Sequence, residues 1–463
     1  MFRTDRIAAI LFAFLILIAL WTLAGCTGRE KVGTPGYTDP MADTSPFAPA
    51  EEYEYLMDVQ KMMMGVAGEE MGSEADIPDE ELKQMMAEEL GFEQVESSAE
   101  ANDSMVKAHG AYRVGLTLEE PPLAEVADIG AAEVKLPALF PESRWVGHMF
   151  FANVGDYIEW GLDSLDEVLE EEMGDTGGMT ITLDFLLGMY GIQDRESLYG
   201  WMGDEFYIFN LSNPDYDPSS EMSAENTPWY SILAISSETP EAGLDLFESM
   251  FGGSVFGMIG FSAERAEFEG HDALRIPPPD FANSMMASMF TEEDLAALAD
   301  LPDSYAVVMG DYFMMADEPS LQVVLDTMED EETTTGRMAA MEMEIHWDLV
   351  VDSMENMTPS ALFGNMPDVD LPLTQELMLD LYTRTADLNE LGRSRLSVEI
   401  TDGNTISTDL LTSKESVKFF DIIAEMITEM PEERWEAIGE ELGTFFEEQS
   451  MGGMGGMGGM GGF

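Results

Sequence analysis

Leu396-Ser397-Val398-Glu399-Ile400-Thr401-Asp402-Gly403-Asn404-Thr405-Ile406-Ser407-Thr408-Asp409-Leu410 is the stretch on which the fold class turns. Residues 396, 398 and 400, then 406, 408 and 410, are apolar or β-branched and alternate with polar ones, the period of two that sends successive side chains to opposite faces of a strand. Asp402-Gly403-Asn404 supplies residues that tolerate left-handed backbone, so the two runs read as an antiparallel hairpin. Ser304 to Met315 repeats the arrangement around Gly310-Asp311. Hairpins of this kind build antiparallel sheets, not the parallel sheets of βαβ repeats.

Working outward, His148 to Val154 reads as a strand, followed by an amphipathic helix through Tyr157, Trp160, Leu162, Leu165 and Leu169 and a second around Leu183 to Tyr190. Glu205 to Phe209 and Tyr230 to Ile235 read as neighbouring strands, and Pro240 opens a helix through Leu244, Phe247 and Met250 with Thr239 as its N-cap. Arg265 to Ile276 adds strand, and Leu321 to Met328 a helix. Beyond it, Ile345 to Val351 reads as strand, and Lys414 to Met430 and Glu432 to Glu447 as helices. The expected class is therefore α+β, with mainly antiparallel sheets and packed helices.

The expected organisation is a signal peptide over 1–25, a flexible tether over 26–50, an acidic Met-rich semi-ordered helical region over 51–133, an α+β domain over 134–330, a second α+β unit over 331–448 and a disordered Met-Gly-Gly tail over 449–463. The tether rests on Gly33, Pro35, Gly36, Pro40, Pro46 and Pro49 without an apolar period.

Arg3 and Arg6 precede an apolar run from Ile7 to Trp21, too short for the roughly 20 residues that a membrane span needs. It ends in Leu23-Ala24-Gly25-Cys26, which resembles the bacterial lipobox. The resemblance implies cleavage after Gly25, a diacylglyceryl group on the Cys26 sulfur and attachment to a membrane through several acyl chains, which hold a protein stably where one does not. An uncleaved anchor helix or a plain signal peptide is the competing reading; Cys26 is the only cysteine in the chain and stands where the chemistry requires it. A mature chain without a second cysteine has no intramolecular disulfide, so its fold rests on packing. Thr27 after the cysteine, by resemblance to enterobacterial sorting, implies the outer membrane.

The whole chain carries 92 acidic and 20 basic side chains, a formal charge of −72. Without residues 1–25, which hold Arg3, Arg6 and Asp5, 91 acidic and 18 basic remain, about −73. Such a field repels nucleic acid and anionic lipid. Spread evenly, it reads as a solubility device in salt and not as a cation site. With 45% hydrophobic and 10% aromatic residues, the chain has the means to bury a core.

From Leu136 to Met328 the order of parts resembles an uncharacterised family of exported bacterial proteins, domain of unknown function 3352. Leu136-Pro137, Leu186-Leu187-Gly188, Gly191-Ile192, Gly203-Asp204-Glu205-Phe206 and Tyr305 to Tyr312 carry the resemblance. It implies an α+β extracytoplasmic domain and brings no catalytic residue.

Candidate chemistry is sparse. His109, His148, His271 and His346 are isolated in sequence and read as ordinary surface or core histidines. No Gly-x-Ser-x-Gly elbow or phosphate loop is present, and acid pairs for a hydrolase are expected by chance among 91 acids. Asn213-Pro214-Asp215-Tyr216-Asp217-Pro218-Ser219-Ser220-Glu221 offers oxygens on alternate residues, as a calcium loop does, but lacks the central glycine and reads as a solvated acidic loop. Thirty-eight methionines, with Met451, Met454, Met457 and Met460 at every third residue, raise soft Cu(I) ligation. The competing reading is core filler, because Met309, Met314 and Met315 occupy apolar strand positions. An apolar groove lined by Phe150, Phe206, Phe209 and Met315 competes with a closed core made of the same residues.

The expectation is a lipid-anchored extracytoplasmic protein in a binding or structural envelope role, not an enzyme. Catalytic residues, metal site and cofactor are none, and the partners are the membrane through Cys26 and an envelope protein or lipid. A copper-binding lipoprotein and an acid-pair hydrolase are the alternatives.

Overall fold

A computed structural model describes residues 41, 45–53, 56, 93–113, 129–173, 183–216, 226–253, 255–281, 301–328, 335–349, 391–401 and 405–429, with a few single positions besides. In chain order the elements are β1 (Ala48–Pro49), β2 (Glu93–Ala101), β3 (Met105–Arg113), β4 (Ala132–Val134), a 3-10 turn (Leu136–Leu139), β5 (Trp145–Ala152), α1 (Val154–Met173), α2 (Leu183–Met189) and α3 (Arg195–Tyr199). There follow β6 (Glu205–Ser212), β7 (Trp229–Ser236), α4 (Pro240–Gly253), α5 (Val255–Met258), β8 (Glu264–Phe268), β9 (His271–Ile276), β10 (Ser304–Met309), β11 (Tyr312–Asp317) and α6 (Glu318–Thr327). The last are β12 (Arg337–Ala339), β13 (Met341–His346), β14 (Arg393–Thr401), β15 (Thr405–Ser413) and α7 (Lys414–Glu429).

The chain is α+β, as its hairpins require. Thirteen of the described strands form one sheet in the order β1-β2-β3-β15-β14-β13-β5-β6-β7-β11-β10-β9-β8, and β12 pairs with β4 beside it. Neighbouring strands are antiparallel, β14 with β15 over Ser394↔Thr412 to Thr401↔Thr405 and β10 with β11 around the Gly310 turn. Gly310 has φ +59 there, the left-handed backbone that a two-residue hairpin turn demands. Residues 402–404, read as the turn of the first hairpin, lie outside the described residues.

Four readings of the sequence change. The flexible tether expected over 26–50 ends sooner, because Ala48 and Pro49 form β1 against Ala101 and Glu100 of β2. Residues 93–113, placed in a helical region, are strands β2 and β3; buried Val106, Ala108 and Gly110 alternate with exposed or half-buried Lys107 and His109, and that period of two wins over the helical pattern read in the preceding text. The strand expected over Ile345 to Val351 runs earlier, at Met341–His346, and the chain is helical at 347–349. The sheet also runs unbroken past residue 330, because β13 bonds to β5 on one side and β14 on the other.

Two apolar layers cover the half of the sheet from β5 to β8. On one face Phe150, Tyr207, Phe209, Ile232, Met309 and Met314 pack with Leu321 and Val324 of α6 and with Val134, Leu136 and Phe140. On the other, Ile235, Leu274, Ala306 and Phe313 pack with Trp201, Leu183 and Leu244 under the helices. Gly243 allows this approach, since a Cβ there would lie 2.8 Å from Trp201 and 2.9 Å from Phe313. The residues weighed as an apolar groove or a closed core lie in packed layers on opposite faces: Phe150 and Phe209 belong to the first layer, Phe206 and Met315 to the second. Adjacent positions on a strand point to opposite faces, so the four cannot line one groove. Beyond β13, the described residues form a smaller core on one face, made of Ala99, Val106, Ala108, Leu410 and Val417.

Candidate functional site

Where the two apolar layers give way to the smaller core beyond β13, charged side chains are buried. Register places Glu344 of β13 between His148 of β5 and Arg395 of β14. His148 is fully buried, and Glu342 and Glu344 are 2% and 1% exposed. Arg393 Nη1 donates to Glu344 Oε1 and Arg395 Nε to Glu344 Oε2, each at 2.9 Å. Arg337 Nη2, from β12, donates to Glu342 Oε1 at 2.8 Å. Trp145 Nε1 donates to His148 Nδ1 at 3.2 Å, and an indole nitrogen can only donate. The histidine hydrogen therefore sits on Nε2, which donates to Glu342 Oε1 at 3.1 Å. Arg393 also reaches the Glu142 carbonyl at 3.2 Å, tying the loop before β5 to β14.

Burial alone would raise both carboxyls. For Glu344 the charges of Arg395, Arg393 and Arg337 outweigh it and hold the group well below the usual carboxylate range. For Glu342 the His148 hydrogen bond and the Arg337 charge do the same. Both carboxyls are thus held on the ionised side by their cationic and hydrogen-bonding partners.

A second buried acid lies on the same face. Glu205, 2% exposed, takes Lys135 Nζ at 2.9 Å on Oε1, and on Oε2 the hydroxyls of Tyr207 at 2.8 Å and Tyr312 at 3.2 Å. The Tyr207 oxygen accepts in turn from the backbone N–H of Lys135 at 2.9 Å and Leu136 at 3.3 Å. Burial first, then the Glu205 charge, pushes Tyr207 and Tyr312 well above the usual phenol range. Burial pulls Lys135 down, but the Glu205 hydrogen bond and charge leave it raised. The His148 and Tyr207 rings, 6.1 Å apart, join the two clusters into one polar seam across β11, β6, β5, β13 and β14.

Of the other sequence candidates, His346 pairs in register with Arg393 at the edge of this seam, and His109 and His271 lie farther along the sheet. His109 Nδ1 lies 3.1 Å from Asp409 Oδ1 between β3 and β15, His271 Nδ1 lies 3.1 Å from the Val308 carbonyl, and His346 Nε2 lies 3.6 Å from Asp348 Oδ2. In the loop read against calcium, the Asn213 side-chain oxygen accepts from the Asp215 N–H at 3.0 Å and its amide donates to the Thr227 carbonyl at 2.6 Å. Residues 217–221 of that loop, the methionines of the tail, and Gly25 and Cys26 lie outside the described residues. Met309 and Met314 are core residues. Among the described residues, no group of three or more His, Cys, Asp or Glu side chains is placed to hold a metal ion, and no helix is long and apolar enough to cross a membrane.

No protein-family model, curated protein or solved structure matches this chain.

The sequence reading missed the seam, although a signal for it existed. Glu342-Met343-Glu344 and Arg393-Ser394-Arg395 place opposite charges at a period of two on strands that pair, so that each set shares one face. In a chain with only 20 lysines and arginines, two arginines in three residues stand out.

Proposed function

We propose that this chain is a lipid-anchored extracytoplasmic protein with a binding or structural role in the cell envelope and no enzymatic activity. The observation that carries the reading is Leu23-Ala24-Gly25-Cys26 at the end of a short apolar run, with the one cysteine of the chain at the position that lipidation uses. The charge seam supports the structural side of it, because the oxygens of Glu344, Glu342 and Glu205 are bonded to side chains of the same sheet and its cover, which braces the strands against one another. In this reading, acyl chains on Cys26 attach the protein to the outer membrane rather than the inner one, and its partner is an envelope protein or lipid. The resemblance of residues 136–328 to domain of unknown function 3352 belongs to the same proposal and is supported by the order of strands and helices between the Leu136 turn and α6.

The test is the intact mass of protein purified from its native membrane, before and after mild alkaline hydrolysis, beside a Cys26→Ala variant. Loss of residues 1–25 with added acyl mass, absent from the variant, is the expected result. A full-length chain with an unmodified Cys26 overturns the proposal.

A further inference from the structure

One end of the helical layer combines two uncharged stretches of the chain. Residues 249–263 run through fifteen positions, and 185–193 through nine, without one charged side chain, in a chain where 24% of residues are charged. The fold brings the two neutral runs together: Ser249 Oγ donates to the Gly191 carbonyl at 2.5 Å, and the rings of Tyr190 and Phe256 are 5.6 Å apart. Phe251 continues the contact, its ring 5.6 Å from that of Phe256 and 6.1 Å from that of Phe261. Around these half-buried rings, Met258 is 56%, Met189 44% and Tyr190 42% exposed. Exposed methionine and aromatic side chains, drawn from uncharged runs of the chain and linked by these ring contacts, form an apolar patch of the sort that marks an interaction surface.

We propose that this patch inserts into the interface of a neutral, zwitterionic phospholipid bilayer. Charge decides between occupants. A second copy of the chain brings its own −72, and an anionic bilayer is negative as well, so both meet long-range repulsion. A zwitterionic surface imposes no such penalty, and an amphipathic ring such as that of Tyr190 favours the boundary between headgroups and acyl chains. The short helix α5 between Gly252 and Gly260 presents Met258 at a tight turn, with Gly260 at φ +103 packed against the Asp280 carbonyl. Apolar residues displayed this way can enter the interface without unfolding the strands beneath. The inference goes beyond the acyl anchor, which would keep the patch near a bilayer but is not required for it.

The experiment places a polarity-sensitive fluorophore at Met258→Cys, at Met189→Cys and, as a control on the sheet, at exposed Glu399→Cys. Each is made in the full chain with native Cys26 and in the Cys26→Ala chain, and read with phosphatidylcholine vesicles. The expected result is a shift of emission to shorter wavelength at 258 and 189, quenched by headgroup-attached nitroxide lipid, with no change at 399. Unchanged emission at 258 and 189 overturns the proposal. So does an equal shift at 399, or a shift that needs no lipid and grows with protein concentration, which would assign the patch to a second copy. The mass of the same samples reports Cys26 acylation separately, so an unmodified Cys26 removes the anchor and leaves the fluorescence result standing.

Discussion

Along a single row of paired residues the sheet changes character. Ala273, Val307, Met314 and Ala234 at one end lead through Tyr207 and Phe150 to Glu342, Ser397, Asp409, His109 and Ser98 at the other. The first half of the row lies beneath α6 and the Leu136 turn, where only apolar atoms and satisfied hydroxyls are tolerated. The far half belongs to strands whose other face holds the small core under α7, and there the row emerges toward water, with Asp409 46% exposed. The buried charges sit at the changeover. A sheet of this width is held by two different kinds of interaction, and each should fail in its own way.

The largest effects should come from removing one buried side chain at the changeover and one in the apolar half. Glu344→Ala leaves Arg393 and Arg395 buried without their acid, and an orphaned buried charge costs about 3–5 kcal/mol. Phe313→Ala in the apolar half should cost a similar 3–5 kcal/mol by opening a cavity beside Trp201 and Phe247. Urea denaturation measures both, and a third variant separates them. Replacing Glu344, Arg393 and Arg395 together by Met, Leu and Met should recover most of the loss, because a buried ionic cluster is rarely better than an apolar one of equal volume. Failure of the triple variant to recover would mean that the charges fix the register of β13 against β14.

Next in size is the junction itself. A Cβ on Gly147 would lie 2.3 Å from the Glu344 carbonyl oxygen, so Gly147→Ala must push β5 from β13 and should cost about 2–3 kcal/mol. Tyr312→Phe, which removes one of three bonds to buried Glu205, should cost about 1.5 kcal/mol. Arg265→Ala should cost less than about 1 kcal/mol, because its partners Asp245 and Glu248 are exposed and screened. Thermal melts rank these three, and a large loss for Arg265→Ala would undo the distinction between buried and surface pairs.

Much of the fold was legible because hairpins announce themselves locally. Residues 396–410 and 304–315 carry alternation and turn chemistry within fifteen residues of each other, and both form antiparallel pairs. The sheet's continuity was not legible. β13 pairs with β5 across nearly two hundred residues, and nothing in Met341–His346 names its partner. β2 and β3 were hidden for another reason: Glu96, Ser97 and Ser98 are too polar to suggest a strand, and only pairing with β3 makes them one. The seam needed both kinds of knowledge, since Glu344 and Arg395 are candidates only once their strands are known to be neighbours. His148, surrounded in sequence by Gly147, Met149 and Phe150, looked like an ordinary core histidine until Glu342 stood beside it.

The two polar clusters give the contrast between the halves opposite signs in pH. Glu342 and Glu344 are depressed in the folded chain, so their contribution is complete above the unfolded value of about 4.3 and is lost as pH falls through their folded values. Tyr207, Tyr312 and Lys135 are raised, so theirs is complete below unfolded values of about 10 and 10.4 and is lost as pH rises through the folded ones. The most direct measurement is pulse-labelled amide exchange, resolved by peptide, after brief exposure to about pH 3 and about pH 11. The expected result is that β13 and β14 lose protection before β6 and β11 in acid, with the order reversed in alkali. Simultaneous loss across the whole sheet, or the same order at both extremes, would contradict the account.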